Sequence, residues 1–231
     1  MTAQRTAISE VPRDLLSNLI SLLVLDLYSN EKYINIILHS SIIDHLVWLE
    51  RPLKALGINV STPSDLQKLI HLSRFPLRNL CIQEMEGLRS LRLLSPDVLG
   101  SKHMRSNLNA LSISYCDCSL EEVVIEGHNC LINLQHLTLT TNSGLKEIAW
   151  KGVEPSDVFL KLHAVDISDC HELKHVTWVA NLLYIERLHL HSCHNMEQVV
   201  CEEAAETEGN GRFAFPRLRI LRLTCEVEQH L

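Results

Sequence analysis

The sequence predicts an α/β solenoid, in which short parallel strands stack turn upon turn. The first indication is one unit that occurs twice between residues 162 and 199, as L-x-x-V-x-I-x-x-C-x-x-L-x-x-V and again 23 residues later. The second is a composition that is 46% hydrophobic but only 5% aromatic, which suits thin layers of aliphatic side chains. One such unit is too small to bury its apolar stripe alone, so it must pack on its neighbours.

The same pattern recurs along the whole chain as eight units, which is the signature of leucine-rich repeats. Their central strand residues are Leu25, Leu56, Leu80, Leu111, Leu137, Val165, Leu188 and Leu221. We expect about eight short parallel strands on the concave face of a curved horseshoe, with an irregular or helical convex side.

Two return segments predict helices on the convex side. Residues 34–51 carry apolar residues at helical spacing. Thr62 and Pro63 are typical of a helix start, a capping hydroxyl followed by proline at the first helical position. We expect Gln67, Lys68 and His71 on the polar side of this second helix.

A turn position follows most of the predicted strands. Asparagine there can bond neighbouring backbone groups, whereas cysteine acts as a small apolar filler. We therefore expect its cysteines to be structural rather than metal-binding or redox-active. The residues at this position are Asn30, Met85, Cys116, Asn142, Cys170 and Cys193.

The units extend over the whole chain, so we expect a single domain over residues 1–231. It is expected to be incomplete at both ends: residues 1–16 match only part of a repeat, and the last repeat stops at Leu231 before its return segment. Polar capping repeats, which such arrays usually need, are not visible.

Charge and hydropathy argue against several classes of partner. The formal charge of −7 argues against nucleic acid. An apolar run of 18 residues is absent, which predicts no membrane span. With no basic-then-apolar leader and no dense disulfide framework, the sequence favours the reducing cytoplasm.

Two clusters could suggest zinc. His171-Glu172-Leu173-Lys174-His175 matches H-E-x-x-H, but the repeat places His171 and Glu172 in a turn and Leu173 in the core. Strand alternation should separate the four potential zinc ligands His189, His191, Cys193 and His194.

Glycine-rich phosphate loops and nucleophile elbows are absent, so we expect no enzyme and no cofactor. The acidic run Glu202 to Glu208 is interpreted as a solvated loop.

The concave face is the candidate binding surface, because its residues do not contribute to the core and can vary. One expected row is Asp26, Gly57, Cys81, Ser112, Thr138, Asp166, His189 and Arg222. The next exposed row is Tyr28, Asn59, Gln83, Ser114, Thr140, Ser168, His191 and Thr224. The proposed protein-binding residues are His136, Thr138, Thr140, Asp166, Arg187, His189, His191 and Arg222. The plainer alternative is a solvated sheet face.

Three stretches give the chain a family resemblance. They are V-D-I-S-D-C-H-E-L-K-H-V with its repeat, A-I-S-E-V-P followed by L-L-V-L-D-L, and F-A-F-P-R-L-R-I-L. In these, the chain resembles the C-terminal leucine-rich-repeat region of plant coiled-coil/nucleotide-binding (NB-ARC type) disease resistance proteins. That resemblance implies a protein partner, either a pathogen effector, a host protein or the receptor's own nucleotide-binding domain, which residues 1–231 lack.

The expected function is therefore protein recognition in plant defence, with autoinhibition of a nucleotide-binding domain. The alternatives are the substrate-binding part of a ubiquitin-ligase adaptor, a zinc hydrolase at His171 and His175, and a gene fragment without function. The sequence shows no F-box helices, and the repeat accounts for both histidines, whereas the incomplete ends of the array leave the gene-fragment alternative open.

Overall fold

A computed structural model describes residues 21–28, 43–44, 46, 49, 53–93, 99, 102–116, 118–127, 131–200 and 215–224. The partial repeat 1–16, Asn30, the acidic run 202–208 and most of the expected helix 34–51 lie outside these residues. Of that helix, Ile43, Asp44, Leu46 and Leu49 are described; the first three are helical, Ile43 and Leu46 are buried, and Leu49 lies outside any helix.

The main element is an eight-stranded parallel sheet, as the sequence predicts. Its strands follow one another in chain order, so each strand pairs with the sheet strand before it and the one after it. They are β1 (Val24–Asp26), β2 (Ala55–Val60), β3 (Leu77–Gln83), β5 (Ala110–Ser114), β7 (His136–Thr140), β9 (Ala164–Ser168), β10 (Arg187–His191) and β11 (Ile220–Thr224).

The predicted register is confirmed everywhere except between β2 and β3. Central residues pair as expected, for example Leu137 with Val165 and Leu188 with Leu221. At the second unit, however, a register shift between Leu56 and Gly57 makes Leu56 pair with Leu77, and Gly57 with Asn79. The expected neighbours Gly57 and Cys81 are therefore two residues out of line.

The return segments expected to form an irregular or helical convex side include a second parallel sheet. It consists of β4 (Ser90–Arg92), β6 (Glu122–Glu126) and β8 (Glu147–Lys151), in that order. The β-branched run Val123-Val124-Ile125 explains the strand, since such side chains fit a pleated surface better than a helix. The return segments of three successive turns thus pair with one another.

Short helices occupy other return segments. Helix α1 (Pro63–Lys68) begins as predicted: the Thr62 hydroxyl accepts a hydrogen bond from the Asp65 N–H at 3.1 Å, and Pro63 opens the first turn. A 3-10 helix (Leu69–Leu72) continues it. The others are α2 (Lys102–Asn107), α3 (Pro155–Val158) and a 3-10 helix (Thr177–Asn181). None of the helices in the described chain is both long and apolar enough to cross a membrane.

One aliphatic core runs the length of the stack. Inward residues of the large sheet such as Leu111, Val165 and Leu188 are at most 1% exposed. Residues from the small sheet, including Val123 and Ile148, belong to the same cluster. Burial of each such side chain contributes about 1.5–3 kcal/mol, so the core supplies most of the favourable free energy of folding. It also holds the strands rigidly enough to present a defined surface.

A tight turn follows most inner strands and leads into the turn position. Asn142 occupies that position after β7 and is fully buried. Its side-chain oxygen accepts from the Cys116 N–H at 3.2 Å, and its amide donates to the Ile113 carbonyl at 2.7 Å. The predicted role of asparagine as a bridge between neighbouring turns is confirmed.

Candidate functional site

Side chains of the large sheet alternate between the core and a polar face. In β7, Leu137 and Leu139 are buried, whereas Thr138 and Thr140 are half-buried and His136 is exposed. The polar face comprises these outward residues of all eight strands. Its character changes between β5 and β7.

In the N-terminal half of the polar face, four residues of the two rows expected to be exposed are buried. Asn59, Cys81, Ser112 and Ser114 are at most 5% exposed. The two serine hydroxyls bond each other at 2.6 Å, and burial raises the pKa of the Cys81 thiol to about 11. Small side chains flanked by longer ones are shielded from water, which a reading of strand alternation alone misses.

The Asp26 side chain lies over Gly57, where the register between β2 and β3 shifts. Its carboxylate accepts a hydrogen bond from the Asn79 side-chain amide at 3.2 Å and another from the Tyr28 N–H at 3.2 Å. A Cβ atom at Gly57 would collide with this carboxylate. The absence of a side chain at Gly57 therefore leaves room for the hydrogen bond between Asp26 and Asn79, which joins β1 and β3 across β2.

The C-terminal half is open, and it contains all eight residues proposed from the sequence. All eight are strand residues: His136 and Arg222 are exposed, and the other six, Asp166 among them, are half-buried. The Asp166 carboxylate lies 2.8 Å from His189 Nδ1 and 3.6 Å from the Arg187 guanidinium. Thr138 and His189 flank Asp166 in the sheet, and Arg222 follows His189.

His136 lies in the same electrostatic environment. Partial desolvation of its ring lowers the pKa of the His136 imidazole, and the positive charge of Arg187 lowers this pKa further, whereas Asp166 raises it. His163, which the sequence analysis did not single out, also lowers it. His163 directly precedes β9 and so belongs to a row beyond the strand ends that a search limited to strand slots does not include.

The far end of the open half has a second contact between strands. His191 Nδ1 lies 2.6 Å from the Thr224 hydroxyl across β10 and β11. Arg222 is exposed and has no ion-pair partner among the described residues. The open half therefore presents guanidinium, imidazole, carboxylate and hydroxyl groups side by side on one rigid sheet.

The histidines of the two possible zinc clusters face different partners. His171 and Glu172 lie in a turn and Leu173 is buried, as predicted. His171 Nδ1 faces His194 Nδ1 at 3.1 Å, whereas His175 contacts the Thr177 hydroxyl. Within the described ranges, no three histidine, cysteine or acidic side chains are grouped so that they could hold a metal ion.

The turn cysteines are also structural in character. Burial raises the pKa of the Cys170 thiol to about 12, which outweighs the opposing hydrogen bond from the Asn142 backbone. Burial also raises the pKa of Cys193. Thiols held neutral in this way are poor nucleophiles and metal ligands.

Comparison with known proteins adds no relative, since no family model, no curated protein and no solved structure matches the chain.

Proposed function

We propose that the chain is a leucine-rich-repeat solenoid that recognises a protein partner through the open half of its polar face. The observation that carries this proposal is the group of charged and polar side chains around Asp166, which lies on a sheet with a buried aliphatic core. A rigid sheet orders few side chains on binding, which keeps the entropic cost of association low.

The chemistry of the open half suits a polar protein surface. Arginine and threonine offer donors to carboxylate and carbonyl groups, and Asp166 offers an acceptor already flanked by two donors. Arg222 can form a new ion pair without giving up one within the described structure. Arginine is also among the residues that most often dominate binding energy in interfaces.

The proposed setting is the sensing region of a plant intracellular immune receptor in the cytoplasm. The support is the resemblance of the repeated C-x-x-L units together with the five described cysteines, which are all free thiols. The partner would be a pathogen effector, a guarded host protein or the receptor's nucleotide-binding domain. The chain would act by binding and not by catalysis.

A binding screen with charge variants tests the recognition surface. Purified plant proteins and pathogen effectors are screened pairwise against the chain, and each binder is measured again with Arg187→Glu/Arg222→Glu. We expect at least a tenfold loss of affinity, because reversal replaces attraction by repulsion at the interface. The matched control is Lys161→Glu/Lys174→Glu, the same change of charge at two exposed lysines outside the large sheet.

The binding surface and the receptor setting can be contradicted independently of each other. Binders whose affinity is the same with both arginines reversed would contradict the assignment of the polar face. The native transcript, read upstream to its start codon, tests the receptor setting: a frame containing a glycine-rich phosphate-binding loop supports it. A transcript that encodes no nucleotide-binding domain would contradict it while leaving protein recognition intact.

A further inference from the structure

A second surface lies on the other side of the molecule, at the end of the small sheet. A cleft of about 410 Å³ opens there between β8 and the 3-10 helix Thr177–Asn181. We call it the tryptophan cleft; its principal lining residues are Glu147, Trp150, Glu154, His175, Trp178 and Asn181. None of these belongs to the polar face.

Strand β8 forms one wall of the cleft and is an edge strand. It pairs with β6 on one side. Within the described chain, no strand pairs with its other side. An edge of this kind offers backbone donors and acceptors to an extended peptide, which can add as a further strand.

Two indole rings form the floor of the cleft. The rings of Trp150 and Trp178 lie 5.7 Å apart, and Phe159 packs edge-on against Trp150 at 5.6 Å. Both indole N–H groups are shielded from solvent and have no acceptor within the described chain. Trp178 as a whole is only 8% exposed. A buried donor without an acceptor is unfavourable, and a peptide carbonyl reached by a small rotation of the ring would satisfy it.

The rim of the cleft is negatively charged. Glu147 and Glu154 are exposed at its rim, and no cation is paired with either in the described chain. Indole faces attract cations, arginine most often, and carboxylates bind the guanidinium or ammonium head. The backbone edge, the indole donors and the negative rim together match one kind of occupant.

We propose that the tryptophan cleft binds an extended segment of a partner protein that carries an arginine or a lysine. The basic stem lies over the indole rings, its charged head reaches Glu147 and Glu154, and the segment's backbone pairs with the free edge of β8. The cleft thus differs from the polar face, where Arg187 and Arg222 favour acidic groups on the partner.

Selection from a library of displayed random heptapeptides tests the proposal with the intact chain as target. We expect the enriched peptides to carry a basic residue. Synthetic peptides of the enriched sequences should then quench or shift tryptophan fluorescence. Their affinity should fall about tenfold with Glu147→Gln/Glu154→Gln, because two charge contacts are lost.

The matched control is Glu122→Gln/Glu126→Gln, the same loss of charge on the neighbouring strand β6, outside the cleft. It should leave the affinity unchanged, and so should Arg187→Glu on the polar face. Circular dichroism verifies that each variant is folded. Enrichment of acidic or purely apolar peptides, absence of enrichment, or equal affinity for the cleft and control variants would overturn the proposal.

Discussion

At the residue scale, the turns after the inner strands share one unusual backbone conformation. The residue just before the turn position has a φ of 50–53°, in the left-handed region that side chains with a Cβ rarely adopt. The residues concerned are Glu84, Tyr115, Thr141, Asp169 and Ser192. Repetition of the same conformation five times in non-glycine residues shows that the turn geometry is imposed by stacking and not by local preference.

Thr141 should have the most strained backbone of these five residues, because a β-branched side chain tolerates positive φ poorly. Thr141→Asn is expected to stabilise the protein by about 0.5–1 kcal/mol, since asparagine enters this region more easily. The measurement is the midpoint of urea unfolding. Thr140→Asn, one residue earlier in extended strand, serves as control and should be neutral or destabilising. A lower midpoint for T141N than for wild type would contradict the strain argument.

The titration of His136 gives a second test at this scale. Its pKa lies below the usual 6.5, so the unfolded chain binds more protons there, and the contribution of His136 to stability decreases as pH falls below 6.5. In an NMR titration, Arg187→Gln should raise the His136 pKa by removing a positive charge, while Asp166→Asn should lower it further. Shifts of the same sign in both variants would show that the cluster is not coupled as described.

At the element scale, the turn position links each strand to the next. Asn142 satisfies the Cys116 N–H and the Ile113 carbonyl of the preceding turn. Asn142→Ala should destabilise the protein by about 2–4 kcal/mol, because two buried backbone groups lose their partners. Asn142→Cys should cost less, since Cys170 fills the same position one turn later and lies against the Ser168 carbonyl. Thermal unfolding of the two variants would reveal the difference, and a loss below about 1 kcal/mol for Asn142→Ala would refute the bridging role.

The sequence predicts the inner strands well because each repeats a two-residue alternation backed by buried leucines. Val165 and Leu188 could be placed, and paired, from spacing alone. The Leu56/Gly57 shift could not, since it depends on how the Asp26 carboxylate lies over Gly57, which is a contact between turns. The tryptophan cleft was missed for the same reason: Trp150 and Trp178 are 28 residues apart in sequence and meet only after the turns stack.

The open half of the candidate site was predicted because the charged residues are unambiguous there. Arg187, His189 and Asp166 cannot belong to an aliphatic core without partners, so alternation places them outward. Burial of Ser112 and Ser114 was not foreseen, since small hydroxyl residues are compatible with either environment and only the assembled sheet shows that they bond each other.

At the scale of the whole molecule, stability should depend on position in the stack, because each turn contacts mainly its two neighbours. Leu188 and Leu221 occupy paired positions in β10 and β11, yet Leu188 is fully buried and Leu221 is 51% exposed. The interior of the large sheet is therefore covered from both sides by further turns. At β11, the described structure shows cover from one side.

Leu188→Ala should consequently cost about 3 kcal/mol of unfolding free energy, as expected for a buried leucine with full contacts. Leu221→Ala should cost less than about 1 kcal/mol, because half of that side chain already faces water. The same substitution at two paired positions thus isolates the effect of place in the array, and urea unfolding of both variants measures it. Equal losses of unfolding free energy in the two variants would show that β11 contributes as much to stability as β10. A description in which each turn is stabilised mainly by its two neighbours would then not apply to this protein.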